Sequence, residues 1–318
     1  MPTTKKTKIV ATLGPACSSK EVIKDMIDAG VNVFRINLSH ADYTDVKERI
    51  DIIRELNDEY GYNTAILADL QGPKLRVGVM KEDVVVAKDD IITFTTAEDV
   101  LGTAERVYMN YKEFPNDVNP GERILLDDGK LIFEVLDTDR ITEVTAKVIQ
   151  GGPLKSKKGV NLPNTKVSLP ALTQKDIKDA IFAIGEQVDW IALSFVRTPK
   201  DLEELQDLIN EHSDHKIPII AKIEKPEAVE NIDKIVAFCD GLMVARGDLG
   251  VEVPAQEVPL IQKKLVNRAK TARIPVIIAT QMMETMITSL TPTRAEVNDV
   301  ANRSEERRVG KECRSRWS

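Results

Sequence analysis

Cysteine is scarce in this 318-residue sequence: Cys17, Cys239 and Cys313 are the only three, with no CxxC and no Cys/His pair at ligand spacing. Neither a disulfide framework nor a zinc site is implied, and a reducing compartment is expected. Long apolar runs are missing as well. The N-terminal MPTTKKTK leads only into Ile9–Leu13 before Gly14-Pro15, too short for a signal-peptide core or a membrane span, so the expected location is the cytoplasm. Positive charge is not in excess: 44 Lys and Arg stand against 51 Asp and Glu, a formal net charge of -7. Broad attraction to nucleic acid or to an anionic membrane is therefore not expected, and any anionic ligand must meet a local basic cluster. The usual nucleotide signatures are absent too, with no GxxxxGK[ST], no strand followed by GxGxxG and no HRD/DFG pair. Any bound phosphates must be held by side chains and metal.

What is present suits a globular chain. Hydrophobic residues make up 42% and charged residues 30%, with 16 Gly and 15 Pro, and the length predicts one large α/β domain or two domains. Seven short apolar runs read as buried strands: Ile9–Leu13, Val33–Leu38, Ala65–Leu70, Trp190–Val196, Ile219–Ile223, Leu242–Ala245 and Val276–Ala279. Helical spacing lies between most of them. In the segment from Ser18 to Gly30, Ser18 and Glu21 form a capping box, Val22, Ile23, Met26 and Ile27 make one face, and Gly30 stops the helix. The first residues of successive runs are 24, 32, 125, 29, 23 and 34 positions apart. All but the third interval fit one βαβ unit of roughly 30 residues.

The long interval reads differently. DVVVAKDDIITFTT, RILLDDGKLIFEVLDT and ITEVTAKVIQGG are β-rich runs broken by Asp-Gly and Gly-Gly turns, flanked by Pro73 and Pro170. The expected division is a first barrel part over 1–71, an inserted β lid domain over 72–168, a second barrel part over 169–302 and a tail over 303–318. The fold expected is α/β, a (β/α)8 TIM barrel lacking its eighth strand with a small β-barrel lid inserted after strand 3; an open doubly wound sheet is the alternative.

In such a barrel, chemistry collects at the C-terminal ends of the strands. The second run ends Phe34-Arg35-Ile36-Asn37-Leu38-Ser39-His40, and alternation places Arg35, Asn37 and Ser39 on one polar, inward face. An arginine there costs desolvation unless an anion or a structural ion pair meets it. The fifth run ends with Lys222 and Glu224 on one face. The sixth ends Ala245-Arg246-Gly247-Asp248-Leu249-Gly250, where glycines admit a ligand and the following helix offers N–H groups to a carboxylate. Glu224 and Asp248 supply two hard oxygen ligands for Mg²⁺; alternatively, Lys222 pairs with one of them in a buried network. Thr280 adds a hydroxyl at the end of the seventh run. Asp69, Leu70, Lys74 and Arg76 follow the third, and Ser194, Phe195 and Arg197 end the fourth. Arg35, Arg76, Lys222 and a divalent cation would make a cationic pocket on an acidic protein, which selects phosphate or carboxylate substrates. The lysines at 155, 157 and 158 read as a solvated face or as a lid contact with nucleotide. The pair His212 and His215, without a third ligand, reads as surface.

The strings KIVATLGP, VFRINLSH, DLQGPKLRVG, KKGVNLP, AKIEKPEAVENID, MVARGDLGVEVP, ATQMMETM and PTRAEVNDVAN occur in this order over about residues 5–302. Together they resemble the pyruvate kinase family, of bacterial type. The resemblance implies phosphoryl transfer from phosphoenolpyruvate to ADP, giving pyruvate and ATP with Mg²⁺ or Mn²⁺. It implies that Glu224 and Asp248 hold the metal and that Lys222 stabilises the transferring phosphoryl group and the developing enolate. Arg35 would contact the substrate phosphate, Gly247 and Asp248 the substrate carboxylate, and Thr280 the site of enolate protonation. Asn37, Leu38, Ser39, His40, Arg76 and Lys158 resemble the nucleotide-binding positions. A loose phosphoryl transition state needs positioning and charge neutralisation more than covalent help, so no protein nucleophile is required. The family's homotetramer is expected of the parent enzyme.

Two departures stand out. Many family members bind K⁺ through positions matching Asn37, Ser39, Asp69 and the Leu70 carbonyl, but Lys74 stands where K⁺-requiring members have a glutamate, so K⁺ is expected to be dispensable. The match stops near Asn302, and the tail from Arg303 carries six cations and three anions with only scattered apolar residues. No run there reads as an eighth strand, and the family's C-terminal regulatory domain has no counterpart, so truncation joined to an unrelated tail is expected. Two further readings stay open. One is a Mg²⁺-dependent aldolase or lyase acting on pyruvate-type substrates; the other is a ligand-binding fragment without activity.

Overall fold

The computed structural model describes residues 7–40, 42–98, 100–280 and 282–306, excepting the side chains of 40 and 304–306. Cys313 and most of the tail lie outside the described residues. The chain divides into two compact units: Met1–Gly72 with Ala171–Arg246 and Pro259–Ser318, and Pro73–Pro170 with Gly247–Val258.

In the first unit the strands β1 (Val10–Thr12), β2 (Val33–Asn37), β3 (Ala65–Asp69), β4 (Trp190–Leu193), β5 (Ile219–Ile223), β6 (Gly241–Ala245) and β7 (Val276–Ala279) form one seven-stranded sheet. They lie side by side in chain order, every pair parallel. A doubly wound sheet would reverse its order at a switch point; this order never reverses, which excludes that alternative and leaves the partial (β/α)8 barrel. Helices follow most strands, among them Lys20–Asp28, Tyr43–Tyr60, Gln174–Gly185 and Pro199–His212.

Several boundaries differ from the sequence expectation. The first helix is capped by Ser19, whose hydroxyl accepts from the Val22 N–H, whereas the Ser18 hydroxyl donates to the Pro15 carbonyl. Strand β2 stops at Asn37 because Leu38–His40 turns as a 3-10 helix, with the Ser39 N–H on Asn37 Oδ1 at 3.1 Å. Alternation therefore does not carry through to Ser39. Strand β4 stops at Leu193, and Phe195 takes φ 54°. The helix Arg294–Glu306 runs on past Asn302, and Arg303 on it is buried.

Inside the sheet, Val33, Leu67, Ala192, Ile220 and Met243 make one apolar cluster, with Val10, Ala65, Trp190, Ile277 and Ala279 packed against it. Strand side chains alternate in direction, so the residues two positions further on, Arg35, Asp69, Ser194 and Lys222, follow on the same face. The apolar layer is thus a floor beneath the polar strand ends.

The second unit holds a six-stranded sheet ordered Val160–Asn161, Arg123–Leu126, Leu131–Thr138, Glu143–Gln150, Ile91–Thr95, Arg106–Tyr108. The turn joining Arg123–Leu126 to Leu131–Thr138 has Asp127, Asp128 and Gly129 at φ 49°, 58° and 82°, the left-handed region that the Asp-Asp-Gly sequence tolerates. Arg76 bridges to Gly159 beside one end strand and Val77 to Met109 beside the other, so a single segment joins both ends of the sheet. Phe94 centres the core, edge-on to Phe114 and Phe133 at centroid distances of 6.0 and 5.4 Å.

Cys17 and Cys239 are free thiols, and burial pushes the Cys239 thiol up to about 12. Among the described residues no helix is long and apolar enough to cross a membrane. Phe94→Ala is expected to destabilise the second unit by about 3–5 kcal/mol, read as a lower urea midpoint for that unit's unfolding; an unchanged midpoint would remove Phe94 from the centre of its core.

Candidate active site

Polar side chains from β2, β3, β5 and the turn after β4 meet above the apolar floor. Register places Asn37 opposite Asp69 and Asp69 opposite Ala192, while Leu193 faces Ala221. Asp69 and Glu224 are each 1% exposed. Buried carboxylates need partners, and both have them. Arg35 Nε donates to Asp69 Oδ2 at 2.5 Å, and Arg35 Nη1 donates to the Thr12 hydroxyl at 2.9 Å. Lys222 Nζ lies 3.0 Å from Glu224 Oε1 and 3.1 Å from Asp69 Oδ1. The contact with Asp69 Oδ1 is an ion pair without hydrogen-bond geometry, and that oxygen has no hydrogen-bond donor. Glu224 Oε2 accepts from the Phe195 N–H at 2.8 Å.

Two cations and two carboxylates therefore balance, with Asp69, Glu224 and Lys222 buried and the Arg35 side chain 25% exposed. The pairing of Lys222 with Glu224, anticipated as the alternative to a metal site, is present. It does not displace a metal reading, because a carboxylate has about four lone-pair positions. Burial alone would push the Lys222 ammonium down; the attraction of Glu224 first and Asp69 second outweighs it, and the net shift is upward.

Around this centre, Ser194 Oγ accepts from Lys222 Nζ at 2.6 Å and donates to the Leu70 carbonyl at 2.6 Å. Gly72, at φ 70°, leaves room for this turn: a Cβ there would sit 2.7 Å from Phe195 Cδ2 and 2.9 Å from Ser194 Cβ. Asn37 is exposed and Ser39 half-buried. The Leu38 carbonyl accepts from Lys175 Nζ at 2.7 Å, and Asp179 gathers Lys175 and the Tyr43 hydroxyl. The His40 side chain lies outside the described residues.

Thr280 follows β7 with φ 65°, an unusual conformation for a β-branched residue. Its hydroxyl donates to the Ala279 carbonyl at 2.8 Å, and its own carbonyl accepts from Arg246 Nη2 at 3.0 Å and Arg303 Nη2 at 3.3 Å. Arg246 is paired with both oxygens of Asp299, at 3.0 and 3.2 Å. Gly247 and Asp248 stand in the first turn of the helix Arg246–Glu252 and belong to the second unit.

Arg76 and Lys158 also belong to the second unit. Arg76 Nη1 donates to the Lys157 carbonyl at 2.9 Å, and Lys158 Nζ pairs with Asp127 at 2.8 Å. The hydrogen bond from Lys158 holds the Asp127 carboxyl below the usual range. His212 Nδ1 lies 3.1 Å from the Leu208 carbonyl, its own helix backbone. Among the described residues no group of three or more His, Cys, Asp or Glu is placed to hold a metal.

The family model described as the pyruvate kinase barrel domain matches residues 4–304. The chain belongs to the pyruvate kinase family. It is 47% identical over 298 residues to a pyruvate kinase of Corynebacterium efficiens, covering 94% of this chain and 62% of that relative. It is 47% identical over 305 residues to pyruvate kinase 2 of Synechocystis sp., covering 95% and 51%. For a pyruvate kinase of Bacillus licheniformis the identity is 45% over 299 residues, covering 94% and 51%. The chain thus spans between 51% and 62% of the length of these curated relatives. The family match includes Arg303 and Ser304, beyond the end expected near Asn302.

Sequence reasoning singled out most of this centre but passed over several of its supports. Nothing in the local pattern gives Thr12, Asp299, Lys175 or Asp179 a role, and Ser194 reads only as a strand end. Thr12 and Ser194 carried a weak signal, a hydroxyl at or just after a strand's C-terminal end. Asp299 carried none, since it meets Arg246 only across 53 residues of chain.

Asp69→Asn removes the carboxylate shared by Arg35 and Lys222, and is expected to cost about 3–5 kcal/mol of stability in urea unfolding of the first unit. Lys222 also sets a pH window. Its folded pKa is raised above 10.5, so its contribution to stability is complete below pH 10.5 and is lost only as pH rises through the higher folded value. Alkaline unfolding should begin at lower pH in Glu224→Gln than in the unsubstituted chain; coincident curves would contradict the pairing.

Proposed function

We propose that this chain carries the centre that transfers a phosphoryl group from phosphoenolpyruvate to ADP, yielding pyruvate and ATP. The observation that carries the reading is the buried Lys222 ammonium, held charged between Glu224 and Asp69 above an apolar floor. A charged donor kept in a low-dielectric pocket is suited to stabilise oxygens on which negative charge develops. In this reading Lys222 neutralises the phosphoryl group in flight and the enolate left behind. Arg35, anchored through Nε and Nη1, meets the substrate phosphate. Thr280 serves protonation of the enolate carbon, and Gly247 and Asp248 serve the substrate carboxylate. Asn37, Leu38, Ser39, His40, Arg76 and Lys158 are the proposed nucleotide contacts.

The residues fit a hard divalent cation. Every acidic donor is a carboxylate oxygen, and Mg²⁺ asks for only one or two of these, the rest of its shell being substrate and water. The lack of a larger acidic cluster is therefore compatible with it. Glu224 and Asp248 would hold Mg²⁺ or Mn²⁺, which when bound supplies charge neutralisation and orientation to the substrate's oxygens. The proposed K⁺ positions are Asn37, Ser39, Asp69 and the Leu70 carbonyl. Asn37 and Asp69 are opposed on adjacent strands, and the Leu70 carbonyl already accepts from Ser194. We propose that the Lys74 ammonium takes over the role of K⁺, that the setting is the cytoplasm, and that the full-length protein is a homotetramer.

A coupled assay for pyruvate formation, run with Glu224→Ala as control, tests the reading. Turnover that falls by at least about a hundredfold in the control is expected. Pyruvate formation equal in both proteins would refute the site. Phosphoenolpyruvate binding without turnover would leave the ligand-binding fragment as the correct description. With full-length protein, turnover should persist when Na⁺ or an organic cation replaces K⁺; a strict K⁺ requirement would defeat the role given to Lys74.

A further inference from the structure

Lys222 has an electrostatic environment and a directional one, and different residues provide them. Attraction to Glu224 and Asp69 acts at 3.0 and 3.1 Å, but Coulomb attraction varies slowly with angle and leaves an ammonium free to rock between two carboxylates. A hydrogen bond weakens steeply when bent. The bond from Lys222 Nζ to Ser194 Oγ is short, at 2.6 Å, and buried.

The Ser194 hydroxyl is itself fixed from two further directions. A hydroxyl has one proton, and an ammonium can only donate. With Lys222 donating to it, Ser194 must send its proton elsewhere, and the Leu70 carbonyl receives it at 2.6 Å. Behind the side chain, Gly72 approaches so closely that a Cβ there would lie 2.9 Å from Ser194 Cβ, which restricts movement of the serine toward that side. The Leu70 carbonyl is held in turn, because the Leu70 N–H bonds the Ala192 carbonyl at 3.0 Å and continues the pairing of β3 with β4. An oriented chain thus runs from the sheet backbone through a hydroxyl to the ammonium.

The third partner is neutral, which matters for an anionic substrate. A carboxylate at position 194 would tip the balance of two cations and two carboxylates toward net negative charge. An apolar side chain would leave an ammonium hydrogen without this buried acceptor. We propose that Ser194 is a positioning residue that aims the Lys222 ammonium, acting through Lys222 rather than on the substrate. The proposal rests on the phosphoryl-transfer reading for its kinetic consequence, but not for its structural one.

The test uses this chain and the full-length protein with Ser194→Ala and Ser194→Thr, each checked by circular dichroism and thermal melting. In this chain, crystal structures of the variants read the aim of the Lys222 ammonium directly. Ser194→Ala should let Nζ leave the position it holds 2.6 Å from the serine oxygen or occupy more than one position, and Ser194→Thr should restore the single one. In the full-length protein, Ser194→Ala should lower kcat by about ten- to a hundredfold, the worth of one hydrogen bond to a charged group. The KM for phosphoenolpyruvate should change by less than about threefold, with kcat recovered in Ser194→Thr. If Ser194→Ala does not fold, Ser194→Cys, with a weaker acceptor of similar size, should show the same displacement of the ammonium. A Lys222 ammonium that keeps one unshifted position in a folded variant overturns the proposal whether or not the protein turns over. Absence of turnover in the unsubstituted full-length protein overturns the phosphoryl-transfer reading and leaves the crystallographic result to decide Ser194.

Discussion

The centre depends on one constraint: Asp69, Lys222 and Glu224 can be buried only with their charges balanced, and Arg35, at the edge of the pocket, supplies the second cation. Asp69 has Arg35 on one oxygen and Lys222 near the other, while Lys222 also faces Glu224. Removing Arg35, Lys222 or either carboxylate leaves a buried charge uncompensated, and buried charges interact several times more strongly than those at the surface. The strands that carry these residues consequently have to keep their register. A one-residue slip of β3 would turn Asp69 out of the interior and bring Ala68 or Leu70 in.

The apolar floor makes the charge network effective. Val33, Leu67, Ala192, Ile220 and Met243 fill the interior one step below the polar layer, so the charges are solvated by each other and by fixed dipoles instead of by mobile water. The backbone contributes at the Phe195 N–H, which the unusual dihedral at that residue presents to Glu224. A second anchor lies at the end of the sheet. There Asp299 gathers Arg246 and Arg303, and both arginines reach the Thr280 carbonyl. The backbone conformation of Thr280, strained for a β-branched residue, is thereby held by charged donors from two other elements.

Much of this was legible along the chain because strands have a period of two. Alternation alone put Lys222 beside Glu224 and set Arg35 on the inward face with Asn37. It failed at Ser39, where a 3-10 turn replaces the strand, because the Asn37 side chain competes for the backbone. Local signals also misplaced the first helix cap by one residue, since Ser18 and Ser19 are chemically equivalent and only the path of the preceding turn distinguishes them. The partnership of Asp299 with Arg246 left no local trace at all. Nor did the boundary between units within the helix Arg246–Glu252, which assigns Asp248 to the second unit while Arg246 stays in the first.

By itself, the sequence determined the seven strands of the parallel sheet, the shared faces of Arg35 with Asn37 and of Lys222 with Glu224, and the residue types waiting at the strand ends, because these follow from periodicity and turn chemistry within a few residues. Only the tertiary structure decided which charges neutralise which, that Ser194 links Lys222 to the Leu70 carbonyl, and that Asp69 is shared by two cations. Those outcomes depend on distances between strands far apart in the chain, and pairing energy in a dry interior is set by tenths of an ångström that no local pattern encodes.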